Sequence, residues 1–268
     1  MRIILFSAYH AGSVNELNIS TLIKSYPEHE FIYVLLDNRM AYIKNTIKNT
    51  AKEFILNLLQ KKTDWYSDRK KIDEIVKSKI HYEIPKTLQR ILVKEVNSKE
   101  TENIIRSLAP DIIIQCGAGI LKENIFSIPP KGTINLHHGI APELRGISSA
   151  FWSMYYGLHE FIGATVHFID KTLDTGTVII QKKTILPKHF DYVEAMVETA
   201  IQASPLLVEA VRMIAQDYKI TEEQVKSYYF SSVSYQKYSE LKMNKFNAVG
   251  EIESVKFKYK NKKILISM

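Results

Sequence analysis

Asn135 and His137 stand two positions apart at the end of a short apolar run, "GTINLHHG" (132–139), and Asp174 follows in "DKTLDTG" (170–176). An Asn amide is a neutral donor that can stabilise a developing oxyanion. A His with a pKa near neutrality can donate to the same oxygen and move a proton. A carboxylate beside the imidazole orients it, favours its charged form and can accept a proton from a nucleophile. None of the three is a good nucleophile in this arrangement. No Gly-x-Ser-x-Gly occurs, and Cys116 falls within or at the end of an apolar run. The set therefore suits acyl transfer, through a tetrahedral intermediate, in which the substrate's own amine attacks.

The elements that must carry these groups alternate along the chain. "RIILFS" (2–7) and "EFIYVLL" (30–36) read as strands, and 13–26 between them spaces Leu17, Ile19, Leu22 and Ile23 as a helix does. Residues 39–80 are polar and Lys-rich, with helical spacing at Ile43, Ile47, Phe54, Ile55 and Leu58, and 88–109 reads as a further helix. Strands are expected over 110–121, stopping on "GAG", and over 132–139, 163–170 and 177–186. A long helix starts after Asp191, with Glu194 completing a capping box and Pro205 expected to kink or divide it. Such alternation indicates an α/β domain with a mostly parallel sheet flanked by helices. It is expected over 1–218, with 219–268 as a short C-terminal extension whose "VKFKYKNKKILISM" forms a closing hairpin around "KNK". Open α/β sheets bind ligands beyond the carboxyl ends of their strands. "GAG", "NLHHG" and "DKTLDTG" are all expected there, and their convergence says more than any one of them.

Bulk properties narrow the class. With 46% hydrophobic and 24% charged residues, the 268-residue chain suits a globular protein with a sizeable core. A single Cys precludes an internal disulfide and fits a reducing, cytoplasmic setting. No HExxH or paired CxxC spacing suggests a metal. The leading "IILF" is too short for a signal peptide's apolar core or a membrane span. The net charge of +7 is diffuse, with no Lys/Arg run beyond three, so it reads as a solvated basic surface rather than a nucleic-acid or membrane footprint. A small polyanionic substrate would suit it.

The residues also carry a resemblance. "NLHHGIAPELRG", "GATVHFID" and "LDTG" followed by "VIIQ" resemble the folate-dependent formyltransferases, over roughly 110–186 and more weakly over 1–36 and 190–217. The resemblance implies a Rossmann-like formyltransferase fold, with Asn135, His137 and Asp174 as the catalytic Asn, His and Asp. It implies 10-formyltetrahydrofolate as donor, held near Gly117, Ala118, Gly119, Ile120 and Leu121 and near the loop of Asp170, with no metal. The sequence departs from the family after the catalytic His. Relatives carry Gly or Pro followed by Ser, where this chain has His138-Gly139, so any role of that Ser does not carry over.

The form most resembled is that of the sugar N-formyltransferases of bacterial surface-glycan biosynthesis, whose Asn-x-His is followed by Pro-x-x-Arg-Gly and an aromatic-rich helix, as in "PELRGISSAFWSMYYG". A nucleotide-linked amino sugar is then the expected acceptor, with Arg145 meeting a diphosphate and Tyr9, His10 or His138 lining the acceptor pocket. A homodimer is possible. The phosphoribosylglycinamide enzymes carry a Gly-x-Gly-Ser-Asn phosphate loop that "HAGSVNEL" preserves only at Gly12-Ser13. The tRNA enzymes add a C-terminal barrel, for which about 50 residues after 218 are too few. Another amine or peptide acceptor, a formylfolate hydrolase and a non-catalytic folate- or nucleotide-binding relative remain as alternatives. His167, between Val166 and Phe168, is read as structural.

Overall fold

In a computed structural model, residues 1–58, 65–146, 148–217, 228–230, 256–259 and 262–265 are described. Central to the sheet is β1 (Arg2–Ala8), whose Ile3, Ile4, Leu5 and Phe6 are all fully buried. A strand covered on both faces needs such an unbroken apolar run. Beside it lie β2 (Glu30–Leu36) and β3 (Gln89–Val93) on one side, and β4 (Ile112–Cys116), β5 (Thr133–His137), β7 (Gly163–Phe168) and β8 (Val178–Lys183) on the other. The first five of these strands pair in parallel, while β5–β7 and β7–β8 are antiparallel. The seven-stranded sheet is thus mostly parallel, as expected.

Helices cover both faces. Ile19 and Leu22 of α1 (Ser13–Ser25) and Ala203 to Ile214 of α7 (Tyr192–Ala215) pack on one face. Ile105 of α4 (Lys99–Leu108) and Ile125 of α5 (Glu123–Phe126) pack on the other. Peripheral to these are α2 (Arg39–Leu58) and α3 (Trp65–Lys79), which together occupy the long Lys-rich stretch. The segment α6 (Ser149–Tyr155) follows a three-residue strand, β6 (Leu144–Gly146), after a cis Ala141–Pro142 peptide. No helix among the described residues is long and apolar enough to cross a membrane.

Three expectations need correction. Residues 88–109 are not one helix: "QRILV" forms the edge strand β3, and α4 begins only after Ser98, whose side chain accepts from the Thr101 N–H at 3.1 Å. A three-residue apolar run carries too little periodicity to tell strand from helix, and pairing with β2 decides it. Pro205 does not divide α7. The helix runs unbroken from Tyr192 to Ala215 with Pro205 on its exposed side. The capping box at the helix start is formed, with Asp191 Oδ1 accepting from Glu194 N and Glu194 Oε2 from Asp191 N. Third, the Asp174 loop does not leave the sheet at the end shared by "GAG" and "NLHHG". Because β7 runs antiparallel, with Phe168 opposite Ile134, its carboxyl end lies beside the start of β5.

Toward the C-terminus, β9 (Tyr228–Phe230) pairs in parallel with β6, setting Tyr229 opposite Arg145. The strands β10 (Lys256–Tyr259) and β11 (Lys262–Leu265) pair antiparallel with Tyr259 opposite Lys262. The rest of 219–268 lies outside the described residues.

Candidate active site

Beyond the carboxyl ends of β4 and β5 lies a cavity of about 340 Å³. Gln115, Gly117, Asn135, His137 and His138 line it from the strands. The start of α1 contributes Gly12 and Asn15, α3 contributes Arg69 and Asp73, and Ser149 and Tyr192 close the far side.

Directly opposite residues in an antiparallel pair share a sheet face, and Asn135 faces His167 across β5–β7. A chain of close contacts results. Asn135 Nδ2 is 3.3 Å from His167 Nε2, which is 3.5 Å from Asp174 Oδ1, while Asp174 Oδ2 is 3.6 Å from His137 Nδ1. His137 Nε2 donates to the Leu144 carbonyl at 3.0 Å, and His167 Nδ1 to the Phe168 carbonyl at 2.8 Å. A carbonyl can only accept, so each ring must carry a proton on the nitrogen that meets it. When neutral, each ring then turns its bare nitrogen toward the one carboxylate between them. The bare His167 Nε2 accepts from Asn135 Nδ2, while a proton on His137 Nδ1 turns its contact with Asp174 into an ion pair.

The electrostatics are balanced accordingly. Burial pushes the His137 imidazole below its ordinary value, against the pull of Asp174 and of the Leu144 carbonyl in the other direction. Burial alone would raise the Asp174 carboxyl, but hydrogen bonding to His167, the charge of His137 and the Gly146 N–H more than offset it, leaving it below the usual carboxylate value. Gly146 N donates to Asp174 Oδ2 at 2.9 Å.

The loop that returns Asp174 from the far end of the sheet is held at several points. Asp174 itself sits at φ 52°, a conformation that short polar side chains tolerate. Gly176 has no alternative, since a Cβ there would fall 1.8 Å from the Phe168 carbonyl oxygen. The Asp170 carboxylate is spent on the loop, accepting from Thr172 N at 3.0 Å and Thr175 Oγ1 at 2.7 Å. Arg145 Nη1 donates to the Leu173 carbonyl at 3.3 Å.

Of the other residues singled out from sequence, Gly117 and His138 line the cavity, whereas Tyr9, His10, Arg145, Asp170 and residues 118–121 are not among its lining. Ala118 and Leu121 turn into the core, Ile120 is 72% exposed, and a Cβ at Gly119 would meet nothing within 4 Å. Tyr9 and His10 lie exposed at the end of β1, with His10 stacked on Tyr42 and Arg39 over the Tyr9 ring. Nε2 of His138 is buried and has no partner among the described residues. Burial, then the neighbouring His137, pushes its pKa down to about 4.

Sequence reading did not single out Asn15, Arg69, Asp73, Ser149 and Tyr192, and it gave His167 a structural role. Alternation along β7 could have revealed His167, because Thr165 and His167 share the face that receives Asn135. Asp73 carries no local signal: it reaches the site only because α3 packs across the start of α1. There Ser13 N donates to Asp73 Oδ1 at 2.9 Å, and the Ser13 hydroxyl bonds the same oxygen. The free N–H groups of a helix start are a natural anion site, and here the anion belongs to the chain.

A family model described as formyl transferase matches residues 33–211. The methionyl-tRNA formyltransferase of Chlorobium chlorochromatii is 32% identical over 123 residues, which is 46% of this chain and 39% of the relative. The chain thus spans about two fifths of the length of that relative. Among solved structures, a 4-N formyltransferase from Francisella tularensis aligns with a TM-score of 0.57 at 14% identity, covering 100% of this chain and 96% of that one. Glycinamide ribonucleotide transformylase 1 from Symbiobacterium toebii aligns at 0.54 and 15%, covering 83% and 91%. At such identities the structures establish likeness of fold alone.

Proposed function

The chain belongs to the formyl transferase family, and from that premise we propose that it carries a formyl group from 10-formyltetrahydrofolate to the amine of a nucleotide-linked amino sugar. The observation that carries the transfer is the contact chain Asn135–His167–Asp174–His137 beside a cavity whose Ser149 hydroxyl meets the protonated Nε2 of His137 and so has no base to activate it there. Formylfolate supplies an activated formyl carbon. The bare backbone turn at Gly117 and Gly119, both at positive φ and with open space beside Gly119, fits a flat heterocycle laid against it. Asn135 donates its amide to the oxygen that gains charge as the amine attacks. Protonated His137, its Nε2–H kept on the Leu144 carbonyl and its Nδ1 toward Asp174, sets a positive charge near the same oxygen, and Asp174 holds His137 and takes the proton that the amine releases. The tetrahedral carbon then expels the folate nitrogen, which takes up a proton as its bond to carbon breaks, leaving the formamide and tetrahydrofolate, and holding the two reactants in one site supplies much of the remaining acceleration.

Two observations favour a sugar nucleotide over a ribotide. The Pro142-x-x-Arg145-Gly146 segment leads into an aromatic helix in which Phe151 and Trp152 are buried. Asp73 occupies the start of α1, where a phosphomonoester would otherwise find its N–H donors. The 4-N formyltransferase of Francisella tularensis aligns over the whole of this chain, which accords with the reading.

The test is direct. The protein is incubated with 10-formyltetrahydrofolate and, separately, a panel of amino-sugar nucleotides, glycinamide ribotide and methionyl-tRNA, and products are read by mass spectrometry. Gain of one formyl mass on an amino-sugar nucleotide supports the proposal. Formylation of only the tRNA or the ribotide overturns the acceptor, and formate released without any acceptor would make the protein a hydrolase.

A further inference from the structure

We infer that Ser149, the first residue of α6, is a positioning residue for His137, and that the missing side chain at Gly139 is what admits it. The inference rests on the catalytic role proposed above for His137. Ser149 is 2% exposed, and its Oγ lies 3.1 Å from His137 Nε2. That nitrogen must carry a proton, because it also meets the Leu144 carbonyl at 3.0 Å. Ser149 Oγ therefore accepts a share of the same N–H, and its own proton points to the Gly146 carbonyl at 3.4 Å. Two acceptors on the Nε2 side hold the ring in one tautomer and one rotation, with Nδ1 toward Asp174.

Gly139 makes room for this contact. A Cβ at 139 would fall 2.6 Å from Ser149 Cβ, 2.7 Å from His137 Nε2 and 3.0 Å from Ser149 Oγ. The backbone there cannot retreat freely. Thr165 Oγ1 donates to the Gly139 carbonyl at 2.7 Å and accepts from Ala141 N at 3.0 Å, which ties the segment to β7. Any side chain at 139 must displace either the Ser149 hydroxyl or the imidazole. The hydroxyl beside Nε2 and the empty position beside it are one arrangement.

An acceptor on Nε2–H stabilises the imidazolium more than the neutral ring, so its loss lowers the His137 pKa. Ser149→Ala should lower that pKa by about half a unit, followed by NMR titration of the imidazole, and reduce kcat about 5- to 20-fold with KM changed less than about twofold. Ser149→Thr, which keeps the hydroxyl, should restore most of both. Gly139→Ala should cost more than Ser149→Ala alone, and adding Ser149→Ala to it should cost less than the product of the two effects, because the pair share one space. A folded Ser149→Ala protein with unchanged titration and unchanged kcat overturns the inference. If the titration moves while kcat does not, the catalytic role given to His137 has failed, and the inference falls with it.

Discussion

On the strand side, Asn135 and His137 line the cavity and His167 and Asp174 join them from behind in one contact chain, whereas on the helix side Asp73 spends its carboxylate on the start of α1. The strand side is set by adjacent β-strands in fixed register, so its geometry is over-determined. The helix side depends on how α3 packs against α1, an arrangement that can vary without touching the sheet. The difference separates two questions. Under the proposed function, the reaction would be set by β5, β7 and the Asp174 loop, and the acceptor by the peripheral helices.

Removing the proposed oxyanion donor, Asn135, tests the strand side most severely. Asn135→Ala should lower kcat by about 10²- to 10³-fold, measured by formyl transfer at saturating acceptor. Asp174→Asn should cost about 10²-fold. It also removes the strongest of the influences that raise the His137 pKa, so the imidazole should titrate lower than in the wild type, as NMR would register. Near-normal turnover in either variant would break the contrast at its stronger end.

His138 sharpens the comparison from within the strand side, because it lines the cavity without a partner for Nε2 among the described residues. Its pKa is depressed from 6.5 to about 4, so the folded state favours the neutral ring. The unfolded chain takes up the proton first as pH falls below 6.5, and stability contributed by the neutral ring is lost progressively until pH reaches about 4. The wild type should lose about 3 kcal/mol more than His138→Gln between pH 7 and pH 4, read from urea denaturation.

The helix side should respond in binding and hardly in turnover. Asp73→Ala exposes the N–H groups at the start of α1, so inorganic phosphate should become a competitive inhibitor with an inhibition constant at least about tenfold lower than in the wild type. Equal sensitivity of both proteins to phosphate would show that Asp73 does not guard that terminus.

The same division explains how much was legible beforehand. Asn135, His137 and Asp174 could be singled out because an amide, an imidazole and a carboxylate together suit one acyl-transfer site, and the strands themselves are short apolar runs. The reversed direction of β7 could not be read, since strand pairing is a long-range choice that leaves alternation unchanged, and so the route by which Asp174 arrives was misplaced. β3 was lost to a helix because "RILV" supports either period. Asp73 and Ser149 were invisible for a further reason: a carboxylate on a polar helix and a Ser at a helix start have ordinary local explanations, and only packing gives them a second role.

Three-residue β6 carries a disproportionate share of the centre. Its first carbonyl anchors His137, its middle side chain reaches the Leu173 carbonyl, and its last N–H fixes Asp174, while its backbone also pairs with β9. A stretch near the end of the chain is thereby geared to the proton-handling groups through one small ladder. A change around Tyr228–Phe230 that tugs on β6 would detune imidazole and carboxylate together, while leaving the large sheet untouched.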